Sequence, residues 1–288
     1  MAIILPASTI RPLYCTTMTD TPIQPNHDHR VGCVSYLNAK PLIAGLTTAH
    51  PSVHVRYDVP SHLLADLLAD EVDVALCPIA DYYNSPTPLK IIPAGGICSE
   101  DHTLTVCLFS RTPIEDLKQI HADTDSHTSV NLLRVIMAKQ YLQTVEIIPY
   151  NTRKKDAPGP NAMLLIGDKV VTESPKAVEY PFQLDLGQAW NRMTGLPFMF
   201  ATWLAKEDAE LGDLPRWLAD NLQHNMDRCD ALVTEFASRH GWPDSLAHEY
   251  LTKNLHYEVG KKELEAMQLF AKYLHELHII DKPQELTF

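Results

Sequence analysis

The fold is first indicated by residues 31–42, which read VGCVSYLNAKPL. The opening run, Val31 to Val34, is short and apolar, which predicts a buried strand. The residues at 38–46 fit a short helix, because Pro41 is tolerated in a first helical turn, where its missing N–H is not needed. A strand followed at once by a helix is the first half of a βαβ unit.

The alternation of strand and helix continues beyond this stretch. A strand is predicted at 53–57, a helix at 61–68 that Ser61 is placed to cap, and a third strand at 73–77, which Pro78 ends. This rhythm indicates βαβ units and a mainly parallel sheet. Further elements are predicted at 104–110 (strand), 129–141 (helix), 145–149 (strand), 162–166 (strand), 198–204 (strand) and 207–278 (helices).

The order of these elements predicts an α/β fold with two lobes joined by two strand crossovers. The first crossover is expected near Arg111 and the return at 198–204, with the helical C-terminus packing back on the first lobe. We infer a periplasmic-binding-protein-like clamp with a ligand cleft between its lobes. The expected division is residues 30–111 with 201–288 in lobe 1 and 112–200 in lobe 2, after a disordered N-terminal extension at 1–29.

Composition and charge limit the classes of function. The 288 residues are 45% hydrophobic and 21% charged, which is enough apolar material for packed cores. The formal net charge is -12 and no block of Lys or Arg stands out. We therefore expect neither nucleic acid nor an anionic membrane surface as a partner. A small anion remains compatible, because a cleft can be locally positive inside an acidic protein.

The cysteines and the N-terminus bear on location. No run approaches the roughly 20 apolar residues that span a bilayer. Residues 1–29 lack the basic start and apolar run of a signal peptide. We therefore expect a cytoplasmic protein. We also expect free buried thiols and no zinc or redox motif, because no CxxC pair occurs among the cysteines, which are Cys15, Cys33, Cys77, Cys98, Cys107 and Cys229.

Three segments, in order, carry a resemblance to a known family. They are the stretch at 31–42, the run DTDSHTSVNLL at 123–133, and LLIGDK at 164–169. Downstream residues that match are 185–187, Trp190 and 194–198. Together they resemble the menaquinone-biosynthesis chorismate dehydratases, from about residue 30 to residue 205.

The resemblance implies a type II periplasmic-binding-protein fold and a hydro-lyase. The implied reaction converts chorismate to 3-[(1-carboxyvinyl)oxy]benzoate and water on the futalosine route, with no cofactor and no metal. One alternative is a sister enzyme that makes 1,4-dihydroxy-6-naphthoate, although its Pro/Cys/Asn/Asp-rich opening turn differs from Ser35–Pro41. A second is a non-catalytic solute-binding protein for small anions, since fold alone does not fix function. A ligand-sensing regulator is disfavoured, since no helix-turn-helix unit precedes the clamp.

The implied reaction determines which groups of the substrate the site must bind. Chorismate is a dicarboxylate, and loss of the C3 hydrogen and the C4 hydroxyl makes its ring aromatic, which drives the reaction. The protein must hold both carboxylates and help hydroxide leave. Helix N-termini suit the first task, because their free N–H groups and dipole favour anions. The resemblance places a functional residue at Asn38, which could instead cap the short helix before Pro41.

The remaining candidate binding residues lie at predicted turns. Those at the start of the helix at 129–141 could bind a carboxylate, cap the helix, or do both. Those near Gly95-Gly96 could belong to an ordinary loop, and Asp168 could cap the following helix. The full set of predicted substrate-binding residues is Ser35, Cys98, Ser99, Ser126, Thr128, Ser129, Gly167 and Asp168.

The group that removes the ring proton is not evident among these segments. They contain no Ser-His-Asp order and no paired carboxylates at a telling spacing. One hypothesis is that the enolpyruvyl carboxylate of the substrate acts as the base while the protein orients it.

Overall fold

The structure, a computed structural model, describes residues 28–123, 125–150 and 159–288. The extension predicted at 1–29 lies almost wholly outside the described residues, as does most of the loop before residue 161. The strands are β1 His29–Cys33, β2 Val53–Tyr57, β3 Val74–Pro78, β4 Leu89–Ser99, β5 Val106–Ser110, β6 Gln119–Asp123, β7 Glu146–Tyr150, β8 Ala162–Ile166, β9 Phe182–Asp185 and β10 Phe198–Lys206.

Within the described residues, the strands form two five-stranded sheets. Their orders are β2-β1-β3-β10-β4 and β7-β6-β8-β5-β9. β1 and β6 run parallel to both of their neighbours, whereas β10 and β5 run antiparallel to theirs. The βαβ units predicted for the first three strands are confirmed, since β1 pairs parallel with β2 and β3, but the sheet as a whole is mixed rather than mainly parallel. A strand that arrives from the other lobe enters without a βαβ crossover, so it is free to pair antiparallel.

Helices cover both sheets. The longer ones are amphipathic, and α8 packs on α1 and β4, so the C-terminal helices return to the first sheet as predicted. The helices are α1 Lys40–Ile43, α2 Leu46–Ala49, α3 Pro60–Leu68, α4 Ile79–Asn84, α5 His127–Lys139, α6 Lys169–Thr172, α7 Leu186–Thr194, α8 Leu214–Met226, α9 Cys229–Phe236, α10 Asp244–Glu249 and α11 Lys261–Glu276, with 3₁₀ turns at Leu37–Ala39, Ile114–Asp116 and Ser238–His240 and a π-helical turn at Tyr250–Asn254.

Sheet membership locates the two crossings between the lobes. The chain leaves the first sheet at Ser99 and enters the second at Val106, then returns at Phe198. β5 pairs with β8 and β9 and so belongs to the second sheet. The first crossover therefore precedes β5, whereas the sequence predicts it after β5, near Arg111. The apolar run of β5 does not by itself show which sheet it joins. We therefore propose lobe 1 as residues 28–99 with 198–288, and lobe 2 as 106–194.

The core is continuous through most of the molecule. Trp190 and Phe198, which the sequence favours as core or cleft wall, are fully buried and meet edge to face with centroids 5.1 Å apart. The indole N–H of Trp190 donates to the Pro197 carbonyl at 3.0 Å, so the buried ring has no orphan donor. None of the helices in the described ranges has the length and apolarity that crossing a bilayer requires.

Candidate active site in the cleft between the lobes

A cleft opens where the two lobes face each other, with about 550 Å³ of empty space that includes open solvent at its mouth. Both lobes contribute to it, and none of the described residues that line it carries a charged side chain. The lining consists of Val34, Tyr36, Asn38, Pro60, Leu76, Pro78, Ile97, Thr103, Thr105, Val106, Ser126, Ser129, Ile166, Gly167, Phe200, Ala201 and Leu255.

Asn38 lies on the wall from lobe 1. It follows β1 on the 3₁₀ turn, so the strand and turn together aim it across the cleft. Its Oδ1 atom is buried and accepts no hydrogen bond from any described residue. Because a buried acceptor left unpaired costs about 1–3 kcal/mol, this oxygen is poised to take a donor from a ligand.

The Tyr250 side chain lies next to the Asn38 side chain. Burial raises the pKa of the Tyr250 hydroxyl above its ordinary value, while hydrogen bonds from Thr105 and the Asn38 side chain act in the opposite direction. The hydroxyls of Thr105 and Tyr250 are 2.7 Å apart. Tyr250 begins the π-helical turn, a deformation that is frequent at functional sites. These neutral groups support one side of the Asn38 amide.

The opposite wall contains the N-terminus of α5. Ser126 Oγ accepts the Ser129 N–H at 3.3 Å, and the two hydroxyl oxygens are 3.2 Å apart. Ser126 is therefore the helix cap, and both serines also line the cleft. Capping and an open helix end coexist here, so a carboxylate could meet hydroxyls and the positive end of a 13-residue helix.

Gly167 permits a close approach between the lobes. It has a φ of +63°, and a Cβ at this position would lie 3.2 Å from the Tyr36 ring. Only glycine fits both the left-handed backbone and this contact. Gly167 thus lies at the cleft, as predicted, and Tyr36 packs directly on it.

Four of the predicted binding residues point elsewhere. Ser35 is exposed, because side chains alternate along the chain and its neighbours Val34 and Tyr36 face the cleft. Cys98 and Ser99 are buried at the end of β4, beyond Ile97, which is the lining residue. Thr128 is fully buried, and its hydroxyl accepts the Ala80 N–H at 3.0 Å. We do not carry these four into the proposed substrate contacts.

Asp168 is also outside the lining. Its side chain caps no helix, although it precedes α6. Instead both carboxylate oxygens accept the Leu37 N–H, at 3.2 and 3.3 Å. Asp168 thus occupies the predicted N-cap position of α6, but its carboxylate does not cap the helix and reaches across to the other lobe instead.

Lys169 is committed to two carboxylates rather than to a ligand. It forms ion pairs with Asp123 and, at 2.9 Å, with Asp125. Burial raises the pKa of Asp123, and the charge of Lys169 acts against that rise. Lys169 therefore offsets one of the two carboxylate charges beside the cleft and is not free to bind a ligand.

Sequence reasoning missed the polar residues Thr103, Thr105 and Tyr250. Thr103 and Thr105 lie in the first crossing, where the sequence predicts Thr105 only as part of an apolar strand at 104–110 and gives Thr103 no role. Asp185 fixes this crossing by accepting the N–H groups of Thr103 at 3.1 Å and Leu104 at 2.7 Å. A repeated Thr at 103 and 105 was the one available signal, and it is weak.

A cluster with metal-ligand chemistry lies elsewhere. Among the described residues, Glu100, His256 and Glu263 bring ligand atoms within 4.8 Å of one another. Glu263 already accepts the Gly260 N–H at 2.8 Å and faces His256 at 3.0 Å, while Lys262 approaches Glu100 at 3.5 Å. These contacts account for the cluster as the start of α11.

Several hydrogen bonds join the lobes beside the cleft. The Ser61 N–H donates to the Asp125 carbonyl at 2.9 Å, and His127 Nδ1 lies 2.6 Å from Asp81 Oδ1. The hydrogen bond to Asp81 raises the pKa of His127 above its ordinary 6.5, although partial burial opposes this. Burial raises the pKa of Asp81.

The stability of the protein is expected to fall as the pH rises through the folded-state pKa of His127. A raised pKa means that the folded state binds the proton more tightly, so the pair stabilises fully below about pH 6.5 and is lost above the folded value. Melting temperatures of the parent and His127→Gln, compared from about pH 6 to 8, check this. An equal decline in both proteins would contradict it.

Comparison with known proteins gives the family. The family model for menaquinone biosynthesis matches residues 29–276. A chorismate dehydratase of Thermus thermophilus is 26% identical over 263 residues, covering 85% of this chain and 94% of the relative.

Solved structures with the same fold include binding proteins. A protein of Archaeoglobus fulgidus superposes with a TM-score of 0.73 at 14% identity, covering 89% of this chain and all of that one. The alkanesulfonate-binding protein of Xanthomonas axonopodis, bound to MOPS, gives 0.66 at 14% identity, with 89% and 95% covered. A Candida albicans protein described as having the generic periplasmic-binding-protein fold gives 0.58 at 13% identity, with 90% and 97% covered. These likenesses confirm the predicted two-lobed fold. Because the family match extends through both lobes and includes every residue lining the cleft, the chain belongs to the menaquinone biosynthesis family.

Proposed function

We propose that this chain is a chorismate dehydratase that forms 3-[(1-carboxyvinyl)oxy]benzoate and water in the futalosine route to menaquinone, in the cytoplasm. The observation that carries this is the uncharged cleft with the unpaired Asn38 Oδ1 on one wall and the α5 N-terminus on the other. The Thermus thermophilus relative supports it.

Each wall of the cleft binds a different group of the substrate. The hydroxyls and N–H groups at Ser126 and Ser129 bind one substrate carboxylate without a cation, as a helix N-terminus does for anions. Asn38 Oδ1 accepts a hydrogen bond from the C4 hydroxyl and so orients the leaving group. Neutral walls of low polarity strengthen both interactions.

The reaction then balances within the substrate. The enolpyruvyl carboxylate takes the proton from C3, and the electron pair delocalises through the ring double bond towards the ring carboxylate. The C4–O bond breaks and the ring becomes aromatic. The departing hydroxide takes the proton that the enolpyruvyl carboxyl group removed from C3, which gives water and restores the carboxylate. This assignment of the base is supported by the lining, which offers no carboxylate or imidazole in the described residues.

Incubation of the purified protein with chorismate, without added metal or cofactor, tests the proposal. We expect an aromatic product, seen by ultraviolet absorbance, whose mass is lower by one water. The cyclised futalosine derivative used by the sister enzyme is the parallel substrate and should remain unchanged. Chorismate that binds but does not react would indicate a solute-binding protein and overturn the proposal.

A further inference from the structure

The side chain of Asp168 belongs to one lobe and is held by the other. Asp168 follows β8 in lobe 2, and its carboxylate is 16% exposed. Three donors of lobe 1 surround it: the Leu37 N–H, His240 Nδ1 at 2.7 Å, and the Trp242 indole N–H at 3.1 Å. His240 and Trp242 follow α9, which packs on α1.

This contact reaches Asn38 by two routes. Leu37 directly precedes Asn38, so its N–H fixes the backbone of the turn. The Trp242 ring stacks on Tyr250, with centroids 4.7 Å apart and planes 23° apart. Tyr250 in turn carries the hydroxyl beside the Asn38 amide. One carboxylate therefore supports both the backbone and the side chain of Asn38.

We propose that Asp168 is a positioning residue: its carboxylate, inserted among the three lobe 1 donors, holds the Leu37–Asn38 turn in its working place when the lobes meet. This rests on the proposed function for the role of Asn38. Asp168 is not a substrate contact, because it lies outside the cleft lining and would repel a dicarboxylate. Loss of one charged hydrogen bond at such a site typically slows a reaction about tenfold or more.

Asp168→Asn is the first test, with Asp73→Asn as its matched control. Asp73 accepts the Arg30 N–H at 2.7 Å at the other end of β1, so the same change there spares the turn. We expect Asp168→Asn to lower kcat roughly tenfold or more with KM within about threefold, whereas Asp73→Asn leaves kcat unchanged. Amide exchange of the peptide at 35–42, followed by mass spectrometry, should quicken only in Asp168→Asn.

A pair of variants at His240 gives a second test that spares Asp168 itself. His240→Asn keeps a nitrogen donor near the Nδ1 position, whereas His240→Ala removes it. We expect His240→Asn to recover most of the kcat that His240→Ala loses. Equal loss in both variants would show a packing role for the ring and count against the proposal.

The outcomes separate this inference from the proposed function. A parent enzyme that dehydrates chorismate, with Asp168→Asn equal to it in kcat and in exchange, overturns the inference alone. A rise in KM that matches the fall in kcat/KM would make Asp168 a substrate contact and overturn it too. A parent that leaves chorismate unchanged defeats the proposed function, and the exchange rates still decide whether Asp168 holds the turn.

Discussion

Replacing Asn38 by alanine is expected to lower kcat for chorismate dehydration roughly a hundredfold or more, the scale seen when one well-placed polar group is lost from an active site. The substitution removes the unpaired Oδ1 acceptor that we assign to the C4 hydroxyl. It also removes the amide next to Tyr250. Folding should be preserved, because Asn38 is only partly buried and its removal relieves an unpaired acceptor.

Steady-state kinetics on chorismate, with circular dichroism for folding, measures this effect. Asn191→Ala is the matched control, since Asn191 donates to the Leu196 carbonyl at 3.3 Å in lobe 2, away from the cleft. Asn38→Asp adds a second readout: a carboxylate there would repel the substrate and raise KM as well. Normal turnover by Asn38→Ala would remove this residue from the site.

The regular elements were predictable because their signal is local. Strand β8 has the bounds that the sequence predicts, since its short run of buried apolar residues is itself the signal. Strand β2 also has its predicted bounds, although only Val53 of its five residues is buried. The same holds for Asn38, Ser126, Ser129 and Gly167, which line the cleft as predicted. Each follows a strand or begins a helix, so the ends of these elements bring it there.

Residues that depend on distant parts of the chain were not predictable in this way. Tyr250 reaches Asn38 only because the C-terminal helices return to lobe 1. Thr128 follows Ser126 at the same helix start, yet it binds α4 of the other lobe at Ala80 rather than facing the cleft. Which side of a helix start faces the cleft depends on how the lobes dock, and no local pattern encodes that.

The lobe to which β5 belongs was likewise not predictable from the local sequence. Its apolar run is consistent with burial in either lobe, and only its hydrogen bonds to β8 and β9 assign it. The crossing that precedes β5 carries Thr103 and Thr105 into the cleft, so its conformation matters for the site as well as for the fold. That conformation is held by Asp185.

Replacing Asp185 by alanine is expected to lower the free energy of unfolding by about 3–5 kcal/mol. The carboxylate accepts three backbone N–H groups: those of Thr103 and Leu104 in the first crossing, and that of Gln188 at 3.1 Å as the cap of α7. Leu104 has a φ of +63°, a left-handed conformation that a leucine holds only when its surroundings require it. Burial raises the pKa of Asp185, and the three N–H groups oppose that rise.

Thermal unfolding should show this loss as a fall of roughly 10 °C in Tm. Ser126→Ala is the comparison, because Ser126 caps α5 alone and its removal costs about 1 kcal/mol. Both variants lose a helix cap. The additional loss of unfolding free energy in Asp185→Ala is therefore assigned to the hydrogen bonds from the Thr103 and Leu104 N–H groups. Asp185→Asn should fall between them, because one acceptor oxygen remains. Equal melting temperatures for Asp185→Ala and Ser126→Ala would mean that the carboxylate acts only as a helix cap and that the crossing holds its shape without it.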